Sequence, residues 1–104
     1  MHLVAFKKEI LKENPWIAKS VMAAFEKAKQ ACVKYYDDPN WSRFISGRHL
    51  FEEERQTFGD DPWPNGLKKN RANLARFIGY SMDQGLLEKN VEVEELFAAN
   101  TLDS

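Results

Sequence analysis

Side chains suited to acid–base, nucleophilic or metal chemistry are few in this sequence of 104 residues. Its imidazoles are His2 and His49, and its single thiol is Cys32. Neither histidine lies in a metal-binding spacing such as HExxH, and one cysteine can build neither a thiolate cluster nor an internal disulfide. The sequence therefore predicts no metal site, and we expect no bound cofactor. His49 lies near a predicted helix start, where a solvated or capping histidine is typical. His2 is either a site residue at the mouth of a strand or part of a disordered terminus.

Three further groups have an ordinary structural explanation. Cys32 falls on the apolar stripe of a predicted helix, so we predict a buried structural thiol rather than a nucleophile. The glutamates at 52–54 are consecutive and point in different directions on a helix, which favours a solvated face over a set of ligands. Lys68, Lys69 and Arg71 either meet a carboxylate or form a solvated face of a second long helix.

The loop at residues 59–66, Gly-Asp-Asp-Pro-Trp-Pro-Asn-Gly, is the most informative feature of the sequence. Two prolines, two glycines and three Asx residues in eight positions exclude regular secondary structure and indicate an ordered turn. Rigid loops on helical scaffolds often carry function, which makes Asp60 and Trp63 candidate binding residues. The alternative is a structural corner in which the Trp63 ring plugs the core. In either case we expect Trp63 to be anchored, because the flanking prolines limit its backbone.

The elements that must position these residues are predicted to form a mainly α-helical fold, in a single domain over residues 1–104. The first long helix begins at Asn14-Pro15, runs for about 22 residues and ends before Asp37. Apolar residues recur along it in steps of three and four, at Ile17, Val21, Ala24, Phe25, Ala28, Cys32 and Tyr35. The second long helix runs from about Asn65 to Gln84, with Gly85 as a left-handed cap. Its stripe is predicted at Leu67, Leu74, Phe77, Ile78, Ser81 and Met82.

Two or three short helices and one strand complete the predicted domain. A helical turn that opens at Asp38-Pro39, carries Trp41, Phe44 and Ile45 and stops at Gly47 comes first. A short helix covers about His49 to Phe58, and one or two helical turns cover Val91 to Ala99. Residues 2–8 are predicted to form a strand. No second strand is evident, and one strand cannot satisfy its own backbone groups. The segment is therefore either helical and joined to residues 9–12, or its partner strands lie on another chain.

The composition excludes several classes of protein. With 15 basic and 16 acidic residues, a net charge of −1 and a pI near 6.1, the chain has no field that would draw it to nucleic acid or an acidic membrane. The hydrophobic fraction of 43% is typical of a globular chain, and no apolar run approaches the ~20 residues of a membrane span. A single cysteine fits a reducing compartment, so we expect a cytoplasmic protein.

Several motifs together resemble one known family. Gly59-Asp60-Asp61-Pro62-Trp63-Pro64-x-Gly66 is followed by Asn70-Arg71, by Phe77-x-x-Tyr80-x-x-Asp83-Gln84-Gly85-Leu86, by Glu94-Glu95-Leu96-Phe97-Ala98 and by Thr101-Leu102. With Met1-His2-x-Val4 and Asn14-Pro15-Trp16, this pattern resembles the C-terminal region of 4,5-dihydroxyphthalate decarboxylase-like proteins. The resemblance covers essentially the whole chain and departs at Asn65, where the family more often has an aromatic residue.

The resemblance implies that the chain is the final third of a protein with a two-lobed α/β fold like that of periplasmic binding proteins. It implies loss of CO₂ from a dihydroxylated aromatic dicarboxylate, with no activity in the isolated chain because the cleft between the lobes is missing. Such chemistry needs cations that hold the retained carboxylate and an acid that protonates the ring carbon. On these chemical grounds we assign His2 as a catalytic residue and Arg48, Arg71, Asp60 and Trp63 as substrate-binding residues.

Two other classes of function fit the sequence. The same two-lobed architecture serves the solute-binding proteins of transporters. A free-standing helical module would instead bury its aromatic faces in a homodimer. We expect a homo-oligomer, paired through the strand at residues 3–6 and through aromatic residues of the long helices, Phe25, Tyr35, Tyr36, Phe77 and Tyr80.

Overall fold

The computed structural model describes residues 2–40 and 43–104, and these residues form four α-helices. The helices are α1 (Lys8–Glu13), α2 (Trp16–Asp37), α3 (Gly47–Phe58) and α4 (Leu67–Asp83), and 3₁₀ turns follow at Val93–Leu96 and Ala99–Thr101. The mainly α-helical class is therefore confirmed. The chain divides into two compact units, the first made of Met1–Met22 and Asn65–Ser104 and the second of Ala23–Pro64.

The predicted N-terminal strand is wrong. Residues 2–7 are irregular, and α1 begins at Lys8, with the N–H of Ile10 donating a hydrogen bond to the Lys7 carbonyl at 3.1 Å. An apolar run forms a strand only where a second strand pairs with its backbone groups, and the described residues contain no strand at all. The helical alternative is also wrong for residues 2–7, because only Lys8 of the predicted segment lies in α1, together with residues 9–12.

The core of the first unit lies on one face of α4. Leu67, Leu74 and Ile78 are buried there, at positions seven and four residues apart, and Val93 joins them from the first 3₁₀ turn. Partly buried side chains pack against this cluster, namely Leu87, Phe97 and Leu102. The predicted stripe of the second long helix is therefore confirmed in its main part, although Phe77 is 63% exposed.

The C-terminal end of α4 is capped by Gly85. At the C-terminal end Gly85 has φ +70°, and the N–H groups of Gly85 and Leu86 donate to the carbonyls of Met82 and Ser81 at 2.9 and 2.8 Å. This is the Schellman pattern, so the predicted left-handed cap at Gly85 is confirmed. At the other end the helix begins at Leu67, two residues after the predicted Asn65.

The second unit consists of the later turns of α2, a connection, α3 and the loop that ends at Pro64. The 22 residues of α2 match the predicted length. The prediction that Gly47 stops a turn is wrong, because Gly47 opens α3, and its N–H donates to the Phe44 carbonyl at 3.0 Å. Trp41, which that predicted turn was to carry, lies outside the described residues.

None of the described residues of the second unit is buried. Its rings instead meet at the surface, where Tyr36 stacks on Phe51 with centroids 6.5 Å apart and meets Tyr35 edge-on at 5.2 Å. The predicted burial of Cys32 is wrong, since this thiol is exposed. Phe25, on the same stripe of α2, is 55% exposed, so the stripe is amphipathic but uncovered within this unit.

Candidate functional site

The loop 59–64 of the second unit is held at its first aspartate by a cation from α3. The guanidinium of Arg55 donates two hydrogen bonds to Asp60 Oδ1, from Nη2 at 2.6 Å and from Nε at 3.0 Å. Its remaining terminal nitrogen, Nη1, donates to Asp37 Oδ1 at 3.0 Å, at the end of α2. The hydrogen bond and charge of Asp60, followed by those of Asp37, raise the pKa of Arg55. Arg55 therefore ties the end of α2 and the start of the loop to α3.

A second cation holds the middle of the same loop. Lys29 of α2 donates from Nζ to Asp61 Oδ1 at 2.8 Å and to the Trp63 carbonyl at 3.3 Å. The same ammonium lies 3.7 Å from Glu26 Oε2, one turn earlier on α2. The loop is thus fixed through two carboxylates and one carbonyl, and its order does not require burial of the tryptophan ring.

Trp63 does not plug a core, and that interpretation of the loop is wrong. Trp63 is 75% exposed although its carbonyl is held by Lys29. The physical reason is that the described part of the second unit contains no buried core that could receive the ring. Backbone anchoring combined with ring exposure leaves a large flat apolar surface available for a ligand or a partner.

Arg48 is engaged by protein atoms in the same unit. Its Nε donates to Glu52 Oε1 at 2.6 Å, one turn along α3, and its Nη1 donates to the Asp37 carbonyl at 2.8 Å. The guanidinium carbons of Arg48 and Arg55 also lie 5.8 and 5.5 Å from the Phe51 ring centroid, within cation–π distance. A carboxylate ligand would have to displace Glu52 or share Arg48 with it.

The remaining candidates belong to the first unit. Arg71 donates from Nε to Glu94 Oε1 at 2.8 Å, and this hydrogen bond is the main cause that lowers the pKa of Glu94. Lys68 Nζ lies 4.0 Å from Asp103 Oδ1. His2 is exposed in the irregular segment before α1. The carboxylates that these cations meet are therefore the protein's own.

The structure places the predicted site residues in different units. Arg48, Asp60 and Trp63 lie in the second unit, whereas His2 and Arg71 lie in the first. Sequence reasoning missed three residues that organise the second unit, Lys29, Phe51 and Arg55. A signal for two of them was available, because Arg48, Phe51 and Arg55 recur at steps of three and four on one predicted helix and so share one face.

The described residues lack the features of a metal site and of a membrane span. Among residues 2–40 and 43–104, no group of three or more His, Cys, Asp or Glu side chains is arranged to hold a metal ion. In the same part of the chain, none of the helices has the length and apolar character needed to cross a membrane.

Comparison with known proteins finds a distant relative. The chain is 25% identical, over an alignment 108 positions long, to a 4,5-dihydroxyphthalate decarboxylase from Comamonas testosteroni. The alignment covers all of this chain and 32% of the relative, so the chain spans about a third of the length of the curated protein it matches. This similarity supports a relationship to the C-terminal part of that decarboxylase. No protein-family model and no solved structure matches the chain.

Proposed function

We propose that this chain is the C-terminal segment of a 4,5-dihydroxyphthalate decarboxylase-like protein and is inactive on its own. The observation that carries the proposal is the alignment of the entire chain with about a third of a decarboxylase. The proposed reaction is the non-oxidative loss of CO₂ from an aromatic dicarboxylate. The bond between the ring carbon and the departing carboxylate breaks, its electron pair stays on the ring carbon, and a proton takes the vacated position.

In this proposal the chain's own residues supply binding rather than a complete reaction centre. The exposed ring of Trp63 offers a surface on which an aromatic ring can stack. Arg48 and Arg71 are the proposed cations for a carboxylate, Asp60 is proposed to bind a ring hydroxyl, and His2 is the proposed acid. Asp60 fits this role only if it keeps an acceptor free beside Arg55, which occupies one of its two carboxylate oxygens.

The expected inactivity of the isolated chain has a physical basis. The proposed reaction requires cations that can hold the carboxylate that the product retains. Arg48, Arg55 and Arg71 are each hydrogen-bonded to a protein carboxylate at 2.6 to 3.0 Å. These guanidinium groups are therefore already engaged by carboxylates of the chain itself, and further residues of a longer polypeptide are proposed to complete the site.

The proposal is tested on the polypeptide that cells make. An antibody raised against the purified chain should detect a cytoplasmic polypeptide of about 38 kDa, since 12.1 kDa is 32% of the matched length. That polypeptide should release CO₂ from 4,5-dihydroxyphthalate, and the chain alone should not. A species of about 12 kDa, or a longer one that binds the phthalate without releasing CO₂, would contradict the proposal. Recovery of the longer species from the periplasm would favour the solute-binding alternative.

A further inference from the structure

Lys29 contacts three groups of the second unit at once. Its Nζ donates to Asp61 Oδ1 at 2.8 Å and to the Trp63 carbonyl at 3.3 Å, and it lies 3.7 Å from Glu26 Oε2. Two carboxylates therefore surround one ammonium group, and together they would repel the carboxylate of a substrate. Lys29 is thus suited to hold the loop 59–64 rather than to bind a substrate directly.

The loop is attached at two points, and the attachment at Lys29 is the better sheltered from solvent. The side chains of Lys29 and Asp61 are 25% and 36% exposed. Those of Arg55 and Asp60, at the start of the loop, are 42% and 84% exposed. Solvent and salt weaken an ion pair less when the pair is partly buried. We therefore expect Lys29 to keep its hold on the middle of the loop at salt concentrations that weaken the hold of Arg55.

The backbone at Trp63 converts this attachment into control of the ring. Pro64 disfavours the helical conformation for the residue before it, so the backbone of Trp63 is restricted to extended conformations. The carbonyl oxygen of Trp63, which defines the direction of its peptide plane, accepts the hydrogen bond from Lys29. With the backbone held, the ring is left with the staggered rotamers about the Cα–Cβ bond. Because the ring is largely exposed, the backbone rather than core packing sets its direction.

We propose that Lys29 is a positioning residue, which orients the Trp63 ring for stacking on the ring of an aromatic dicarboxylate. This inference rests on the proposed binding role of Trp63 and extends it to a residue that does not touch the substrate. A ring that is oriented in advance loses less conformational freedom when the substrate binds. The hydrogen bond from Lys29 to the Trp63 carbonyl therefore strengthens binding.

The first experiment measures the motion of the Trp63 ring in the purified chain. Trp16→Phe and Trp41→Phe leave Trp63 as the only tryptophan of the three. In this background Lys29→Met, which removes the donor but keeps an unbranched helix-forming side chain, should lower the fluorescence anisotropy of Trp63. Lys29→Arg keeps a donor and should retain the parent anisotropy. An anisotropy that Lys29→Met leaves unchanged would overturn the proposal.

The second experiment measures binding by the polypeptide that cells make. The probe is phthalate, which carries both carboxylates but no ring hydroxyl to assist the loss of CO₂, so calorimetry measures binding alone. Lys29→Met should raise the Kd for phthalate about fivefold. Lys27→Met is the matched control, because it removes the same charge from the opposite side of α2, where Lys27 has no ion pair or hydrogen bond with a described residue. This control should keep the Kd within about twofold of the parent value.

A third variant tests whether Lys29 acts through the Trp63 ring. Trp63→Ala removes the ring but keeps the carbonyl that Lys29 holds. In the Trp63→Ala background, Lys29→Met should change the Kd by no more than about twofold, because the ring through which Lys29 acts is already absent. An equal loss of affinity in both backgrounds would show that Lys29 supports binding by another route and would overturn the proposal. A parent polypeptide that does not bind phthalate would overturn it as well.

These outcomes are distinct from those that test the proposed decarboxylation. A polypeptide that binds phthalate through Lys29 and Trp63 but releases no CO₂ from 4,5-dihydroxyphthalate would contradict the decarboxylase and support the positioning role. A Lys29→Met variant that releases CO₂ with the KM and kcat of the parent would support the decarboxylase and overturn the positioning role.

Discussion

The N–H of Leu67 donates a hydrogen bond to Ser104 Oγ at 3.0 Å, across 37 positions of the sequence. The Ser104 carbonyl oxygen accepts a second hydrogen bond, from the N–H of Lys68 at 2.8 Å. Two otherwise unsatisfied donors at the start of α4 are thus capped by a distant residue rather than by a neighbour. Gly66 makes the close approach possible, because a Cβ there would lie 2.8 Å from the Ser104 carbonyl carbon.

Gly66→Ala should therefore destabilise the chain by about 1–3 kcal/mol. The residue has φ +96°, which disfavours a side chain, and the added methyl group would displace Ser104 from the helix end. Gly79→Ala is the matched control, since Gly79 lies inside α4 and a methyl group added there would meet nothing within 4 Å, and it should stabilise by about 0.5–1 kcal/mol. Urea denaturation measures both values, and equal effects of the two substitutions would contradict the proposed capping.

Trp63→Ala should change the free energy of unfolding by less than about 1 kcal/mol. The ring is 75% exposed, so little buried contact is lost, in contrast to the ~3–5 kcal/mol that a core plug would contribute. Ile78→Ala, in the core of the first unit, should cost about 2–5 kcal/mol and serves as the reference. A loss of about 3–5 kcal/mol on removing the Trp63 ring would instead show that the ring is buried in a core.

Arg55→Gln should loosen the loop 59–64 while changing global stability by no more than about 1 kcal/mol. The ion pairs of Arg55 with Asp37 and Asp60 are solvent-exposed, and exposed pairs contribute little to unfolding. Their effect on the order of the loop 59–64 is larger than their effect on global unfolding, because they hold the start of the loop. Hydrogen exchange of the loop amides should become faster, whereas Arg43→Gln, which removes no described ion pair, should leave it unchanged.

The ion pair of Arg71 and Glu94 should make the stability of the first unit depend on pH in the acidic range. Because the pKa of Glu94 is lowered in the folded chain, its contribution is present above the ordinary glutamate pKa and is lost as the pH falls through the lowered value. Glu94→Gln removes this contribution, so the variant should lose less stability than the parent between about pH 5 and pH 3. Thermal unfolding at a series of pH values checks this, and Glu95→Gln, which removes no described ion pair, should behave like the parent.

The features that were predicted correctly are those that depend on neighbouring residues. The start of α2 after Asn14-Pro15 and the left-handed Gly85 at the end of α4 follow from capping and backbone preferences over a few positions. The apolar spacing of Leu67, Leu74 and Ile78 likewise identified a face that is buried. Local sequence is sufficient in these cases because the interactions that decide them lie within one or two turns.

Three of the incorrect predictions concern what covers a residue. The apolar run at residues 3–6 resembles a strand, but a strand needs a partner that local sequence does not reveal. The stripe of α2 was recognised correctly, whereas the burial of Cys32 on it was not, because an amphipathic pattern does not specify the element that packs against it. The sequence likewise did not reveal that the Trp63 ring is exposed. Lys29 of α2 and Arg55 of α3 hold the loop through hydrogen bonds, so the loop does not need the ring as an anchor.

The first unit is made of two stretches that are far apart in the sequence, and this affects how it folds during synthesis on the ribosome. The side-chain amide of Asn100 donates to the Pro15 carbonyl at 2.7 Å, across 85 positions. Residues up to Met22 therefore emerge early but must wait for the stretch from Asn65 onward before they can complete their unit. At about 5–20 residues per second, the intervening stretch of roughly 40 residues takes about 2–8 s to translate. The nascent chain thus holds α1 and the first turns of α2 without their packing partners for seconds, a period in which a chaperone can bind them.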